Sequence, residues 1–171
     1  LQGVFADFTG ILKTQLLMTK GKTMTPIKHP LASFSLVGLQ FGLIAALLLL
    51  LPLSLHPLVL GTQAVAVLIG LWAVQAMHLG HFNIIPDPQP EIELVTHGPY
   101  RFIRHPMYFS IVLFFLPLII ANPNTWSLGL YAGLWVILLI KLSYEEHLLL
   151  ELLPEYDDYR QSSKKIIPFV F

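Results

Sequence analysis

Two stretches of this chain constrain it more than anything else. Leu31 to Leu51 is 21 residues without a charge, and Leu58 to Leu79 is 22. Each matches the roughly 20 apolar residues that cross a hydrocarbon core of about 30 Å. A backbone at that depth has no water to pair with, so it must close its own hydrogen bonds as a helix. Composition agrees: 55% of the 171 residues are hydrophobic and 12% are charged, against about 25% charged in soluble domains. Mean hydropathy is +0.69. A water-soluble globule and a disordered chain are both excluded. Ten Lys+Arg against ten Asp+Glu leave no basic field, so nucleic acid is not an expected partner. Without cysteine, neither disulfides nor thiolate metal sites arise. The expected fold is all-α, an integral membrane helical bundle.

Two shorter apolar runs follow, Met107 to Ala121 and Trp126 to Ile140, separated by Asn122-Pro123-Asn124, which reads as a turn. The last run is 15 residues, about 22 Å of helix, too short to cross. Its helix is therefore expected to continue through Lys141 and bring Glu145 and Glu146 to the membrane boundary. Four spans result, at about 31–51, 58–79, 106–121 and 126–146. All Lys and Arg fall in the N-terminal segment, the 80–106 connection or the stretch from Lys141 on, while the loops 52–57 and 122–125 carry no charge. The positive-inside rule then places both ends of this chain and the long connection in the cytoplasm. The membrane is the plasma or inner membrane in a bacterial source and the endoplasmic reticulum in a eukaryotic one. Residues 1–30 form a separate N-terminal segment before the membrane domain at 31–171. Val4, Phe5, Phe8, Ile11 and Leu12 recur at a spacing that suits an amphipathic surface helix. The chain opens Leu1-Gln2, and Met18 and Met24 are candidate natural starts.

Chemistry concentrates in two places. Adjacent carboxylates at a membrane boundary are costly unless something compensates them, which marks Glu145 and Glu146. Lys141 lies one turn before Glu145 on the same face. The 80–106 connection ends with His97, Arg101, Arg104 and His105 where two helices meet the cytosol, and Pro106 suits a first helical turn. Taken singly, each has a plain reading: interfacial arginines, a surface histidine, a snorkelling lysine, the solvated end of a span. Both clusters, however, must lie at the same membrane face.

The stretch Leu94-Val95-Thr96-His97-Gly98-Pro99-Tyr100 with Arg104-His105-Pro106-Met107-Tyr108 resembles the L-V-T-x-G-P-Y and R-H-P-x-Y signature of isoprenylcysteine carboxyl methyltransferases, whose relatives include the phospholipid methyltransferases. Glu145-Glu146-His147-Leu148-Leu149 and Glu155-Tyr156 to Tyr159 are similar to a second block of that family. The resemblance covers about residues 60–171. It implies a membrane methyltransferase using S-adenosylmethionine, released as S-adenosylhomocysteine. It also implies cofactor contacts from Leu94, Val95, Tyr100, His105, Pro106, Tyr108 and Glu145, with His97 and Gly98 beside them. No Gly-rich strand-turn-helix fingerprint of a Rossmann domain is present, as that implies. Aromatic faces such as Tyr100 and Tyr108 attract a sulfonium cation, and a carboxylate suits the α-amino group. Arg104, Glu146 and Lys141 are the expected reaction-side residues. Lysine stands at 141, where the family often has an arginine for the acceptor's carboxylate. The expected partner is a lipophilic small molecule or lipid acceptor in the bilayer: a prenylcysteine carboxylate, a phospholipid or another hydrophobic substrate.

Two rival enzymes share this composition. A metal-dependent membrane oxidase needs closely spaced histidine boxes, and the pair His78 and His81 does not supply them; no metal site is expected. A membrane reductase using NADPH, related to sterol reductases, finds some echo in Ile166-Ile167-Pro168-Phe169. A transporter half would line its spans with polar groups, and the first two spans hold only Ser, Thr, Gln and His.

Overall fold

The computed structural model describes residues 30–77 and 94–168. The expected N-terminal amphipathic helix, His78, His81 and most of the 80–106 connection lie outside the described residues. The elements are α1 (Pro30–Leu50), α2 (Pro57–Met77), a 3-10 turn (Gly98–Arg101), α3 (Pro106–Ala121), α4 (Thr125–Leu152) and α5 (Tyr156–Ser162). No strand occurs among the described residues, only one isolated parallel bridge between Ile103 and Lys164.

The helix starts follow from residue chemistry. Pro30, Pro57 and Pro106 each open a helix, where the missing N–H costs nothing and the fixed φ is already helical. At α4, the Asn124 side chain accepts from the Ser127 N–H at 2.9 Å, and the Ser127 hydroxyl accepts from the Asn124 N–H at 3.3 Å. This reciprocal cap satisfies donors that a helix start otherwise leaves open. It also explains why the Asn122-Pro123-Asn124 turn is so short.

Three helices, α1, α2 and α4, are long and apolar enough to cross a membrane. The third of the four expected spans, α3, is 16 residues, about 24 Å, and falls short of that length. It begins at Pro106, whose ring disfavours helical backbone at the preceding residue, and His105 is indeed non-helical. The expected continuation of the last span is present: α4 runs unbroken for 28 residues through Lys141, Glu145 and Glu146 to Leu152. Leu39, Leu48, Leu68, Trp72 and Val136 stand exposed on these helices, apolar surface of the kind a bilayer covers.

α1 packs along α4, α2 packs along α3, and α3 joins the two pairs through α4. Toward the 52–57 and 122–124 loops the centre is apolar, with Leu47, Val59, Val112, Phe115, Leu134 and Leu138 buried together. At the opposite end the buried groups are polar: Gln40, Arg104, His105, Lys141, Glu146 and Ser163.

Candidate functional site

Gly98 fixes how the connection enters this polar end. Its φ is +62°, and a Cβ there would sit 3.0 Å from the Ala76 Cβ and 3.3 Å from the Trp72 Nε1. Only glycine takes that backbone at no steric cost, so the 3-10 turn can press onto α2. Tyr100 is thereby buried against Ala73 and Ala76, with Val95 packed beside it, and its hydroxyl donates to the Met77 sulfur at 3.9 Å.

The two glutamates of α4 are adjacent in sequence and so face different ways, about 100° apart around the helix. Glu146 turns inward. Arg104 Nε donates to it at 2.7 Å, with both side chains buried, and Lys165 Nζ lies 3.9 Å from its other oxygen. Glu145 faces α3. The Tyr108 hydroxyl donates to one oxygen at 2.5 Å, and His105 Nδ1 is 3.5 Å from the other. Glu146 is thus paired directly with Arg104, and Glu145 with Tyr108 and His105.

His105 ties the two together. Its ring stacks on Tyr108, centroids 5.4 Å apart and nearly parallel. Its Nε2 is buried with no well-formed hydrogen bond among the described residues, and Glu146 Oε1 lies 3.4 Å from it. Lys141, 2% exposed, donates to Gln40 Oε1 of α1 at 2.7 Å and holds its ammonium 5.3 Å from the centre of the Tyr108 ring. The aromatic face that the sequence offers to a sulfonium is therefore already attended by His105 and Lys141.

These groups line a cavity of about 360 Å³. Tyr100, Arg104, His105, Lys141 and Glu145 form its polar wall, Pro106 and Tyr108 its α3 side, and Phe41, Ile44 and Ile111 its apolar end. The remaining expected site residues lie elsewhere. Glu146 acts on Arg104 and His105 from behind the wall. Gly98 and Val95 pack the turn onto α2, and His97 is exposed. Leu94 lines a separate open cleft of about 790 Å³ with Thr96, Arg101, Glu155, Asp158, Tyr159 and Ser162. No group of three His, Cys, Asp or Glu among the described residues could hold a metal ion.

Sequence reasoning missed Gln40 and gave Tyr159, quoted in the second block, no role at the site. Gln40 was legible as a lone amide in an apolar span, where a polar group needs a partner; its partner is 101 positions away. The Tyr159 hydroxyl donates to the Tyr100 carbonyl at 2.6 Å. Burial pushes that hydroxyl up to about 12 and raises those of Tyr100 and Tyr156 further, so all three stay protonated at physiological pH.

A family model described as phospholipid methyltransferase matches residues 56–155. The chain belongs to this family. The match contains α2, the 3-10 turn, α3, all of α4 and every cavity-lining residue except those of α1. Membership brings methyl transfer to a lipid-type substrate, and the three long apolar helices make this an integral membrane methyltransferase. No curated protein sequence matches the chain.

Proposed function

We propose that this protein transfers a methyl group from S-adenosylmethionine to a lipophilic acceptor drawn from the bilayer, at a cavity facing the cytoplasm. The observation that carries the reading is one cavity with a carboxylate and imidazole at one end and apolar side chains at the other. Its volume, about 360 Å³, sits near the lower bound for ligand sites, which suits a nucleoside-sized ligand better than a dinucleotide. At the polar wall the Glu145 carboxylate suits the amino group of the cofactor's methionine part. The residues present fit the cofactor.

The cofactor, when bound, supplies an electrophilic methyl group on a sulfonium. Glu145 holds its amino group, oriented for the task by the Tyr108 hydroxyl and His105. Tyr100 supplies an aromatic wall. Arg104 and Glu146 neutralise each other and keep His105 in place, so they support the reaction from behind the wall. Lys141, fixed by Gln40, stands toward the acceptor side, beside the apolar end formed by Phe41, Ile44 and Ile111. Phe41 is about half exposed on the lipid-facing surface, which gives an amphiphile a sideways approach. In-line transfer to a nucleophilic acceptor asks little acid–base chemistry of the protein. Orientation and exclusion of water supply most of the rate. The charge pattern of the loops favours four crossings, with residues 1–30 and the stretch after α4 on the cytoplasmic side.

The test is calorimetric titration of detergent-purified protein with S-adenosylhomocysteine, with NADPH in parallel. Saturable binding of S-adenosylhomocysteine alone is expected, weakened at least 100-fold in Glu145→Ala without loss of helical content. Unaltered binding by both Glu145→Ala and His105→Ala would sink the site, and binding of NADPH alone would move the protein to the reductases.

A further inference from the structure

The stretch from Tyr156 to Ile166 lies beyond the family match, and nothing in the proposed chemistry uses it. Yet it is fastened along the segment that carries Tyr100, Arg104 and His105. After the 3-10 turn the chain leaves helical geometry, so the Arg104 N–H does not return to the Tyr100 carbonyl. It donates instead to the Lys164 carbonyl at 2.8 Å, and the His105 N–H donates to the Lys165 carbonyl at 3.0 Å. The Lys164 N–H donates back to Phe102 at 3.2 Å. The Tyr100 carbonyl, left over, accepts from the Tyr159 hydroxyl at 2.6 Å. Arg104 Nη1 donates to the carbonyls of Ser163 and Arg160 while its Nε serves Glu146. Ile166, fully buried, anchors the far end of the stretch.

We infer that this terminal segment is a working part of the cofactor site, with Tyr159 as a positioning residue acting through the Tyr100 carbonyl. The inference rests on the cofactor reading above. Tyr159 lines the outer cleft and not the cavity, so it reaches the cofactor only through what it holds. Tyr100 and His105 form the cavity wall with their side chains, while their backbones are pinned from behind by Tyr159 and Lys165. The His105 ring is stacked on Tyr108, so a backbone shift at 105 moves the ring relative to Glu145. Displacements of about 1 Å in such a constellation cost up to about 100-fold. Arg104 belongs to the same device: its donors are directed to Glu146 and to the terminal segment, which makes it a clamp between α4 and that segment.

The experiment uses the full chain in detergent with histidine ring carbons isotopically labelled, the His105 resonance being assigned by its loss in His105→Asn. Tyr159→Phe keeps the ring and removes one buried hydrogen bond; Ile166→Ala loosens the anchor at a distance from the cavity. Both are expected to retain helical content and to shift the His105 resonance. Both should weaken S-adenosylhomocysteine binding by roughly three- to tenfold, the scale of one buried hydrogen bond. Gln161→Ala, an exposed position on the same segment, is expected to change neither. An unmoved resonance and unchanged affinity in both variants, with the unaltered chain binding normally, would overturn the inference. A shifted resonance in a chain that never binds S-adenosylhomocysteine would instead overturn the cofactor reading, and the segment's role in it.

Discussion

The two ends of this bundle are built on opposite principles. Toward the 122–124 turn, Leu47, Phe115, Leu134 and Leu138 fill the centre, and no charge is buried with them. Toward the 94–105 connection, the buried set includes two basic side chains, Arg104 and Lys141, and the Glu146 carboxylate. In a bilayer the lipid is as apolar as leucine, so the apolar end gains from close packing and little from removal of water. The polar end holds together by specific pairing, and each group there is costly once its partner is gone. One end keeps the helices together; the other can do chemistry.

The largest expected break in that contrast is Glu146→Ala. It strands Arg104 without its carboxylate, and removing one member of a buried pair costs about 3–5 kcal/mol. Thermal unfolding followed by circular dichroism should show it, together with loss of S-adenosylhomocysteine binding. A melting temperature matching the parent would mean that the Arg104–Glu146 pair is solvated. Next comes Leu138→Ala at the apolar end. The cavity left behind should cost about 2 kcal/mol, near the lower end for such truncations, because bilayer replaces water in the reference state. Cofactor affinity should stay within about twofold, and a large loss would show that the two ends are coupled. The smallest is Gln40→Leu, which removes the Lys141 acceptor at a cost of about 1–2 kcal/mol. Adding Lys141→Met should recover most of it, and a double-mutant cycle with no coupling would sever the contact.

How much was legible differs between the ends. The apolar end was readable because hydrophobic runs, Pro-initiated helices and an Asn-Pro-Asn turn are local signals. The 28-residue α4 followed from a length argument alone, since a 15-residue run cannot cross. α3 covers the expected 106–121, started by Pro106, and its 16 residues are fewer than the roughly 20 of a full crossing. At the polar end the residue types were legible and their partners were not. Glu145 and Glu146 look alike as a dipeptide, yet one turns to Tyr108 and His105 and the other to Arg104. The difference is a 100° step around a helix whose rotation is set by packing against α1 and α3.

Sequence alone determined that this chain is a helical membrane protein, where its four apolar helices lie and which dozen residues to watch. Hydrocarbon forces that answer locally, because every backbone group must pair within its own helix. Only the tertiary structure decided which of those residues share a cavity, that Lys141 is held by an amide 101 positions away, and that the terminal segment bonds to the backbone of Arg104 and His105. Such contacts join residues from different helices, and their geometry depends on the rotation and depth of each helix, which no single stretch of sequence encodes.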